Sequence, residues 1–444
     1  MSNSEKNVIS STVLLEPRKE TENKHLYEPS KVSYLQDQVP QEIVIKIFSY
    51  FDIKELVKLA AVCRSWRDLI HGTPRFWWKA YLTLPCWRQR KLRKNVYSYA
   101  ALYGNRCRDL VISCEHRYVN VACCEKLAIY LRNLLHLLHP TTLTSFKIND
   151  ARLVCGKPSV RSSVIKILIG MLSRFDRLQC FAMPFAKFFY TEGIKVLKTV
   201  TSASKETLQS LLIEGFFHTP NEIIMEEPVS FDDVTKGILS LNNLKKLGID
   251  FFVLTDDFVN ALCTSSAKLE KLKINSSYIT FSTKNISQIS WLNLTKAFPK
   301  MKVEISITSI VEFPTISIPV VLEPVLPISK IRLDIRKNYH PNDEPNIGAV
   351  LRHISTHFSR SLVKFEMDID NRDHPIDEVL KIFVQSCPHL LHLTVSAHFA
   401  SPHTQQHVLD LIQARRLQQC KYPRKPRSQI REPPQVRSFS ESPD

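Results

Sequence analysis

The chain has 444 residues, which is too long for one ordinary hydrophobic core and predicts two or more units or one extended repeat array. Hydrophobic residues make up 44% of the chain, as in soluble folded proteins, so we expect most of it to fold. The formal net charge of +17 is spread thinly and its local maxima lack interleaved aromatic residues. We therefore expect no nucleic-acid partner, and no apolar run approaches the length that spans a membrane.

The composition also argues against a catalyst. Only 9 glycines are present, and phosphate-binding loops of the GxGxxG or GxxxxGK[ST] type are absent, as are the GxSxG and HExxH signatures. The 11 cysteines are odd in number and include no CxxC pair, which favours reduced thiols in the cytoplasm or the nucleus. We predict no catalytic residue, no metal and no cofactor.

Residues 1–34 open the chain with mixed charge and no apolar periodicity, so we predict a disordered N-terminal segment. The segment Val39–Leu82 then shows the periodicity of amphipathic helices. Ile43, Ile47 and Phe51 recur every four residues and predict a first helix. Asp52 is a good N-cap for a second helix.

A third short helix is predicted to contain Cys63, Trp66 and Ile70, and Gly72 with Pro74 ends it. Three helices in about 45 residues cannot bury this much apolar surface alone, because domains of that size are marginal. The unit must therefore either pack on the rest of the chain or be covered by a partner.

These residues resemble an F-box. The matching stretches are Val39-Pro40-Gln41-Glu42-Ile43, Ile47-Phe48-Ser49-Tyr50-Phe51, Ala60-Ala61-Val62-Cys63-Arg64-Ser65-Trp66-Arg67 and Phe76-Trp77. They occur in the order and spacing of the family, with Val39 and Phe51 in place of the usual leucines. The resemblance implies that residues 35–82 form a three-helix F-box. It also implies that this F-box binds the Skp adaptor and, through it, the cullin scaffold of a ubiquitin ligase.

The adaptor-binding surface that the resemblance implies consists of apolar and capping positions of the pattern. These are Val39, Pro40, Glu42, Ile43, Ile47, Phe48, Phe51, Leu56, Val62, Cys63, Trp66, Leu69 and Trp77. The alternative interpretation is a three-helix element of an ordinary hydrophobic core.

Residues 83–106 come next and contain the basic stretch Arg88 to Lys94. The three helices predicted in residues 35–82 are called the docking helices below. We predict a basic helical joint that fixes them rigidly to the C-terminal part of the chain. The alternative is that the stretch faces acidic surface on the adaptor.

Residues 107–420 repeat the pattern apolar-x-x-apolar-x-apolar at intervals of roughly 25 to 36 residues, within the range of solenoid repeats. The ten instances start at Cys107, Leu143, Leu178, Leu208, Leu244, Leu269, Phe298, Ile328, Leu362 and Leu390. Helical stretches precede many of them, so each unit combines one helix with one short strand. Such units must stack, because none can bury its own apolar face. The rival interpretation is a generic α/β domain.

These repeats resemble the irregular leucine-rich repeats that follow many F-boxes. The implied fold is α/β: an N-terminal three-helix F-box followed by an irregular leucine-rich-repeat solenoid with short parallel strands and outer helices. The asparagine or cysteine that normally satisfies backbone groups after the third apolar position is mostly absent. A regular array is least expected around residues 275–345, where Pro314, Pro319, Pro324 and Pro327 suggest a looped insertion.

The outward positions of the strands predict the surface that binds a target protein. Its candidate residues are Lys245, Lys246, Lys271, Lys273, Lys330, Arg332 and Lys364. This basic bias favours an acidic or phosphorylated target. The alternative for each residue is ordinary solvated surface.

Residues 421–444 are rich in Pro, Arg and Ser and predict a disordered basic tail. Ser440 and Ser442 fit common phosphorylation patterns, and the run Arg424 to Arg427 resembles a nuclear import signal.

The sequence thus predicts the substrate-recognition subunit of a Skp-cullin-F-box ubiquitin ligase, which holds a target and promotes its ubiquitination. The alternatives are an adaptor-binding scaffold outside a ligase, a generic protein-interaction module and an enzyme with an unrecognised site.

Overall fold

The computed structural model describes most of the chain between residues 39 and 397. The described residues are 39–51, 53–85, 90–115, 121–138, 143–153, 157–218, 231–276, 286–309, 321–335, 347–369, 371, 376–397, 399, 406 and 410. The segments 1–34 and 421–444, with Ser440 and Ser442, lie outside them, as does Asp52. The chain divides into two compact units, Met1–Ile274 with Ile289–Met301 and Asn275–Gln288 with Lys302–Asp444.

Three short helices come first among the described residues of the first unit, as predicted. Helix α1 spans Gln41–Phe48, α2 spans Ile53–Leu59 and α3 spans Arg64–Gly72, and a 3-10 turn at Pro74–Trp77 follows. The third helix begins after Cys63 instead of including it, because the Cys63 sulfur caps the helix. Its Sγ accepts a hydrogen bond from the Trp66 N–H at 3.5 Å.

In the rest of the first unit, as far as the structure describes it, seven strands alternate with helices. The strands are β1 Lys79–Pro85, β2 Asp109–Glu115, β3 Ser145–Asn149, β4 Cys180–Ala182, β5 Ser210–Leu212, β6 Lys246–Asp250 and β7 Lys271–Ser276. The helices are α4 Arg90–Tyr103, α5 Val121–Leu137, α6 Pro158–Leu172, α7 Tyr190–Ala203, α8 Asp232–Leu239, α9 Asp256–Thr264 and α10 Gln288–Ala297. Consecutive strands are neighbours, and the pairs from β1 to β6 are parallel.

The predicted repeat pattern is confirmed at every instance, since each of the ten overlaps one of the strands that follow β1. Its second apolar position forms a buried row across the first unit. Leu110, Phe146, Phe181, Leu211 and Leu247 are aligned partners on successive strands, and each is fully buried. The α/β fold of stacked strand–helix repeats therefore rests on apolar residues that face their equivalents in the next repeat.

The array begins earlier than residue 107. Strand β1 pairs with β2 in register, with Ala80 opposite Leu110 and Leu82 opposite Ile112. The predicted joint at 83–106 accordingly contains the end of β1 and α4, which are parts of the first strand–helix repeat. The boundary moves because the six residues from Trp77 to Leu82 carry the repeat pattern as well as the end of the F-box pattern.

The loops after β3, β4 and β5 explain how the array tolerates the missing asparagine. Asp150, Phe185 and Gly215 occupy equivalent positions and all adopt left-handed conformations, with φ of 58°, 57° and 63°. Neighbouring loops then bond through their backbones, as when the Phe185 N–H donates to the Glu214 carbonyl at 2.8 Å. The Asp250 carboxylate accepts a hydrogen bond from the Gly215 N–H at 2.8 Å. A side chain from the next repeat therefore satisfies a backbone group of this loop, as the asparagine does in regular repeats.

The second unit repeats the strand–helix arrangement. Its strands are β8 Lys302–Ser309, β9 Ile328–Ile335, β10 Lys364–Ile369 and β11 His392–Ser396, and its helices are α11 Ile347–Phe358 and α12 Asp377–Ser386. The strands pair in parallel in chain order. The register of β8 on β9 shifts between Val303 and Glu304, which places an irregularity within 275–345. Pro314 and Pro319 lie outside the described residues.

Helices that could cross a membrane are absent from the part of the chain that the structure describes.

Candidate functional site

One side of α1 carries exposed apolar residues. Ile43 and Ile47 lie one helical turn apart and are 47% and 48% exposed, and Tyr50, just after the helix, is 80% exposed. Single exposed apolar side chains are ordinary in soluble proteins. A stripe of them along one helix is what a groove-binding helix presents to its partner.

An aromatic cluster closes the opposite side of α1. Phe48 is buried, and its ring meets Trp66 edge-to-face with centroids 5.1 Å apart. Phe76 lies 6.5 Å from Phe48 on the same side. This packing holds α1 against α3, so the exposed stripe of α1 has a rigid support.

The structure divides the predicted adaptor-binding residues into three groups. The exposed ones are Pro40, Glu42, Ile43, Ile47, Phe51 and Val62. The partly exposed ones are Val39, Cys63, Trp66 and Leu69. Phe48, Leu56 and Trp77 are buried in the core. The prediction that these last three contact a partner directly is corrected, because the chain's own side chains already cover them.

Trp77 joins the docking helices to the first strand–helix repeat. Its indole N–H donates to the Ile70 carbonyl at 3.0 Å, and its ring stacks on Tyr103 of α4 with centroids 3.9 Å apart. The contacts that join the docking helices to the first repeat are therefore largely aromatic and lie at the end of α4. Within the predicted basic stretch, the Arg93 guanidinium lies over the ring of Tyr130 on α5, 4.3 Å from its centroid, and holds two helices of the array together.

A histidine–tyrosine hydrogen bond completes this joint. The Tyr103 hydroxyl lies 2.5 Å from Nδ1 of His71, and the Arg106 guanidinium donates to the His71 carbonyl. Burial lowers the pKa of His71, the cations Arg67 and Arg106 lower it further, and Asp68 opposes them. Burial raises the pKa of Tyr103. Both shifts favour the uncharged forms, so a hydrogen bond between neutral groups joins the Tyr103 hydroxyl and the His71 imidazole.

The predicted target-binding residues fall into two sets, one on each unit. In the first unit, Lys246 is exposed on β6, while Lys271 and Lys273 are partly exposed on β7. Lys245 lies at the turn before β6, with its ammonium 3.9 Å from the Glu270 carboxylate. Lys246, Lys271 and Lys273 together form the β6–β7 lysine cluster.

In the second unit, acidic neighbours contact the predicted basic residues. The Glu366 carboxylate lies 2.8 Å from the ammonium of Lys364 and 3.2 Å from that of Lys330. Arg332 contacts Asp334 at 3.1 Å. Burial raises the pKa of Glu366, but hydrogen bonds and charge from the two lysines outweigh it and leave the pKa below its ordinary value. Glu366 and Asp334 therefore offset part of the positive charge of this face, and target binding by its basic residues stays a prediction.

Two features of the site are not evident from the apolar pattern of the sequence alone. One is that Trp77 belongs to two patterns. It is the first apolar position of a repeat that begins thirty residues before Cys107, and it is also the last residue of the F-box pattern. The other is Glu366, which faces outward on β10 and alternates with Lys364. Counting acidic as well as basic residues at the outward positions would find it.

The described residues offer no group of three or more His, Cys, Asp or Glu side chains placed to hold a metal ion. Among the described cysteines, free thiols occur at Cys63, Cys107, Cys114, Cys124, Cys180, Cys263 and Cys387. Cys123 is disulfide-bonded, so the expectation of reduced thiols fails at that position. Burial raises the pKa of Cys107 to about 11, which suppresses its thiolate form.

Comparisons with known proteins support the F-box resemblance of the docking helices. Residues 36–83 match the family model described as F-box-like. The chain is also 33% identical over 60 residues to F-box only protein 48 of Homo sapiens, in an alignment that covers 14% of this chain and 39% of that protein. The family match ends at residue 83, so the leucine-rich-repeat identity of the array stays a prediction.

Proposed function

Because the chain carries an F-box-like domain at residues 36–83, we propose that it is the substrate-recognition subunit of a Skp-cullin-F-box ubiquitin ligase. The docking helices bind the Skp adaptor, and through it the cullin. The strand–helix array binds a target protein. The chemistry takes place on other subunits, and this chain contributes by holding the target near them.

The exposed stripe of α1 carries this proposal. Ile43 and Ile47 project from a helix whose other side is fixed by Phe48 and Trp66, so they are available without unfolding the unit. Burying such residues in a partner's groove is favourable in proportion to the apolar area removed from water. The joint at Trp77 supports the second half of the proposal, because a rigid connection keeps a bound target at a fixed place relative to the adaptor.

The experiment is co-purification of the adaptor and the cullin with the full chain in which Ile43 and Ile47 are changed to Ala. Alanine favours the helix, so the docking unit stays folded while the exposed contacts are removed. We expect loss of both partners. The matched control changes Ile289 and Ile382, which are exposed on α10 and α12, to Ala and should retain both.

Retention of the adaptor by the Ile43 and Ile47 variant, with unchanged circular dichroism, would contradict the docking proposal. Recovery of the adaptor without the cullin from the unmodified chain would instead indicate a scaffold outside a ligase.

A further inference from the structure

A pair of histidines lies on one side of α11. His353 and His357 are one helical turn apart, and the centroids of their rings are 4.6 Å apart. Residues four apart on a helix face the same side, so the two imidazoles are neighbours. Their ring planes are tilted by 55° and are not stacked. Because a nitrogen lone pair lies in the plane of its ring, tilted rings can direct two lone pairs at one point.

A hydrogen bond to the backbone determines which nitrogen of His353 carries the proton. Its Nε2 lies 2.9 Å from the carbonyl oxygen of Leu322, a fully buried residue. A carbonyl oxygen only accepts hydrogen bonds, so Nε2 is the donor and Nδ1 of the neutral ring keeps its lone pair. Metal-binding histidines have the same arrangement, in which one ring nitrogen donates to a carbonyl or carboxylate and the other binds the metal.

His357 is exposed and supplies the second imidazole. Its ring lies 6.3 Å from the buried ring of Phe358, which is also 6.0 Å from the ring of His353. The same buried ring therefore supports both imidazoles. This support and the helix hold the two side chains close together, which reduces the entropy that a shared ligand would have to overcome.

We propose that His353 and His357 bind one divalent transition-metal ion of the kind that prefers imidazole nitrogen, such as Zn²⁺, Cu²⁺ or Ni²⁺. The described part of the chain offers no group of three or more ligands, so the two histidines form an open site. Water completes the coordination of the ion. The inference concerns the second unit and does not depend on the proposed function.

The sequence does not predict this site, because two histidines four residues apart are a weak signal in a chain that contains 15 of them. The spacing recurs at His403 and His407, which lie outside the described residues. The structure adds the tilt of the rings and the hydrogen bond to Leu322, which distinguish the pair on α11. An experiment on this site must therefore separate the two pairs.

The test titrates Ni²⁺ into the full chain by isothermal calorimetry. Ni²⁺ suits imidazole nitrogen, whereas Zn²⁺ is also bound by thiolates. The variant His357→Gln removes one ligand at an exposed position and leaves the hydrogen bond of His353 in place. We expect this site to bind Ni²⁺ about a hundredfold more weakly in the variant, because two linked ligands gain that much from their effective concentration.

A matched control keeps the number of histidines and changes their spacing. The double variant Ser355→His with His357→Gln places the second imidazole two residues from His353, where it does not face the same side of the helix. We expect it to bind Ni²⁺ as weakly as His357→Gln does. The double variant His403→Gln with His407→Gln should retain the site on α11. Urea unfolding checks that every variant is folded.

Four results would overturn the inference. The first is an unmodified chain without a saturable Ni²⁺ site, and the second is unchanged binding by His357→Gln. The third is tight binding by the Ser355→His double variant, because chelation by this pair requires the four-residue spacing. The fourth is loss of the site from the His403 and His407 double variant, which would assign the Ni²⁺ to that pair.

Discussion

At the residue scale, Trp77 decides whether the docking helices have a core. It belongs to two patterns at once, the end of the F-box and the first apolar position of the first repeat. The sequence predicts that Trp77 is part of the F-box pattern but not that it is buried, because interface residues and core residues have the same apolar character. The structure resolves this by placing the Tyr103 ring against it at 3.9 Å.

Trp77→Ala should therefore lower the free energy of unfolding by about 3–5 kcal/mol, since a fully buried aromatic side chain leaves a cavity. The control is the neighbouring Trp78→Ala. Trp78 is only partly buried and is covered by the Arg108 guanidinium, 3.8 Å from its ring. Its removal should cost clearly less. Equal losses in urea unfolding would show that Trp77 does not form the joint.

Gly215 illustrates a backbone requirement of the array. Its φ is +63°, and an added Cβ would lie 2.7 Å from the Phe185 ring. Gly215→Ala should cost about 2 kcal/mol or more, from the left-handed conformation together with the close contact. Gly170→Ala, inside α6 with nothing within 4 Å of the new Cβ, should instead gain about 0.5–1 kcal/mol. A loss for both in denaturant unfolding would contradict this reasoning.

At the element scale, the repeat pattern predicted strands well because its alternation matches the two faces of a sheet. The pattern could not predict the exact residue at which α3 begins, because Cys63 caps this helix through its sulfur, which is an unusual hydrogen-bond acceptor. Most repeats lack the asparagine of the regular pattern. The sequence does not show what replaces it, because the substitutes are backbone hydrogen bonds between loops and the Asp250 carboxylate of the next repeat.

Because contacts between α3 and α4 complete the core, we expect that residues 36–83, which match the family model, do not fold alone. A fragment of residues 36–83 lacks Tyr103, so Trp77 would face water. We expect this fragment to show no cooperative thermal transition, whereas residues 36–138, which extend through α5, should show one by near-ultraviolet circular dichroism. The longer fragment with Trp77→Ala serves as a control and should lose the transition. Cooperative unfolding of the short fragment would refute the shared core.

The same joint should weaken in acid. Because the pKa of His71 is lowered in the fold, the unfolded chain binds a proton more readily. The contribution of His71 to the free energy of unfolding is therefore fully present above the ordinary histidine pKa of about 6.5 and is lost as the pH drops below that value. His71→Gln keeps an acceptor for Tyr103 without a titrating group, so its free energy of unfolding should fall less between pH values of about 7.5 and 5.5.

The exposed histidine on α5 supplies the control for this measurement, and His136→Gln should keep the full acid-dependent loss. Some loss should remain in His71→Gln, because burial and the nearby Lys187 also lower the pKa of His218. An unchanged acid-dependent loss in His71→Gln would exclude His71 as its source.

At the scale of the whole molecule, the apolar stripe of α1 lies on a chain whose formal net charge is +17. The net charge does not predict where positive charge is exposed, because it counts Lys330, Lys364 and Arg332 although Glu366 and Asp334 contact them. The register of the strands places Glu366 beside Lys330 and Lys364, which the sequence alone does not show.

Because the α1 stripe is apolar, salt should leave adaptor binding almost unchanged. Raising the ionic strength from about 0.05 to 0.5 M shortens the Debye length to a few ångströms, which weakens exposed ion pairs and leaves apolar burial almost unchanged. We expect adaptor binding to change by less than about twofold. The adaptor is titrated into the full chain by calorimetry. If adaptor binding is the salt-sensitive event, charged residues such as Glu42 and Lys46 dominate its interface instead of Ile43 and Ile47.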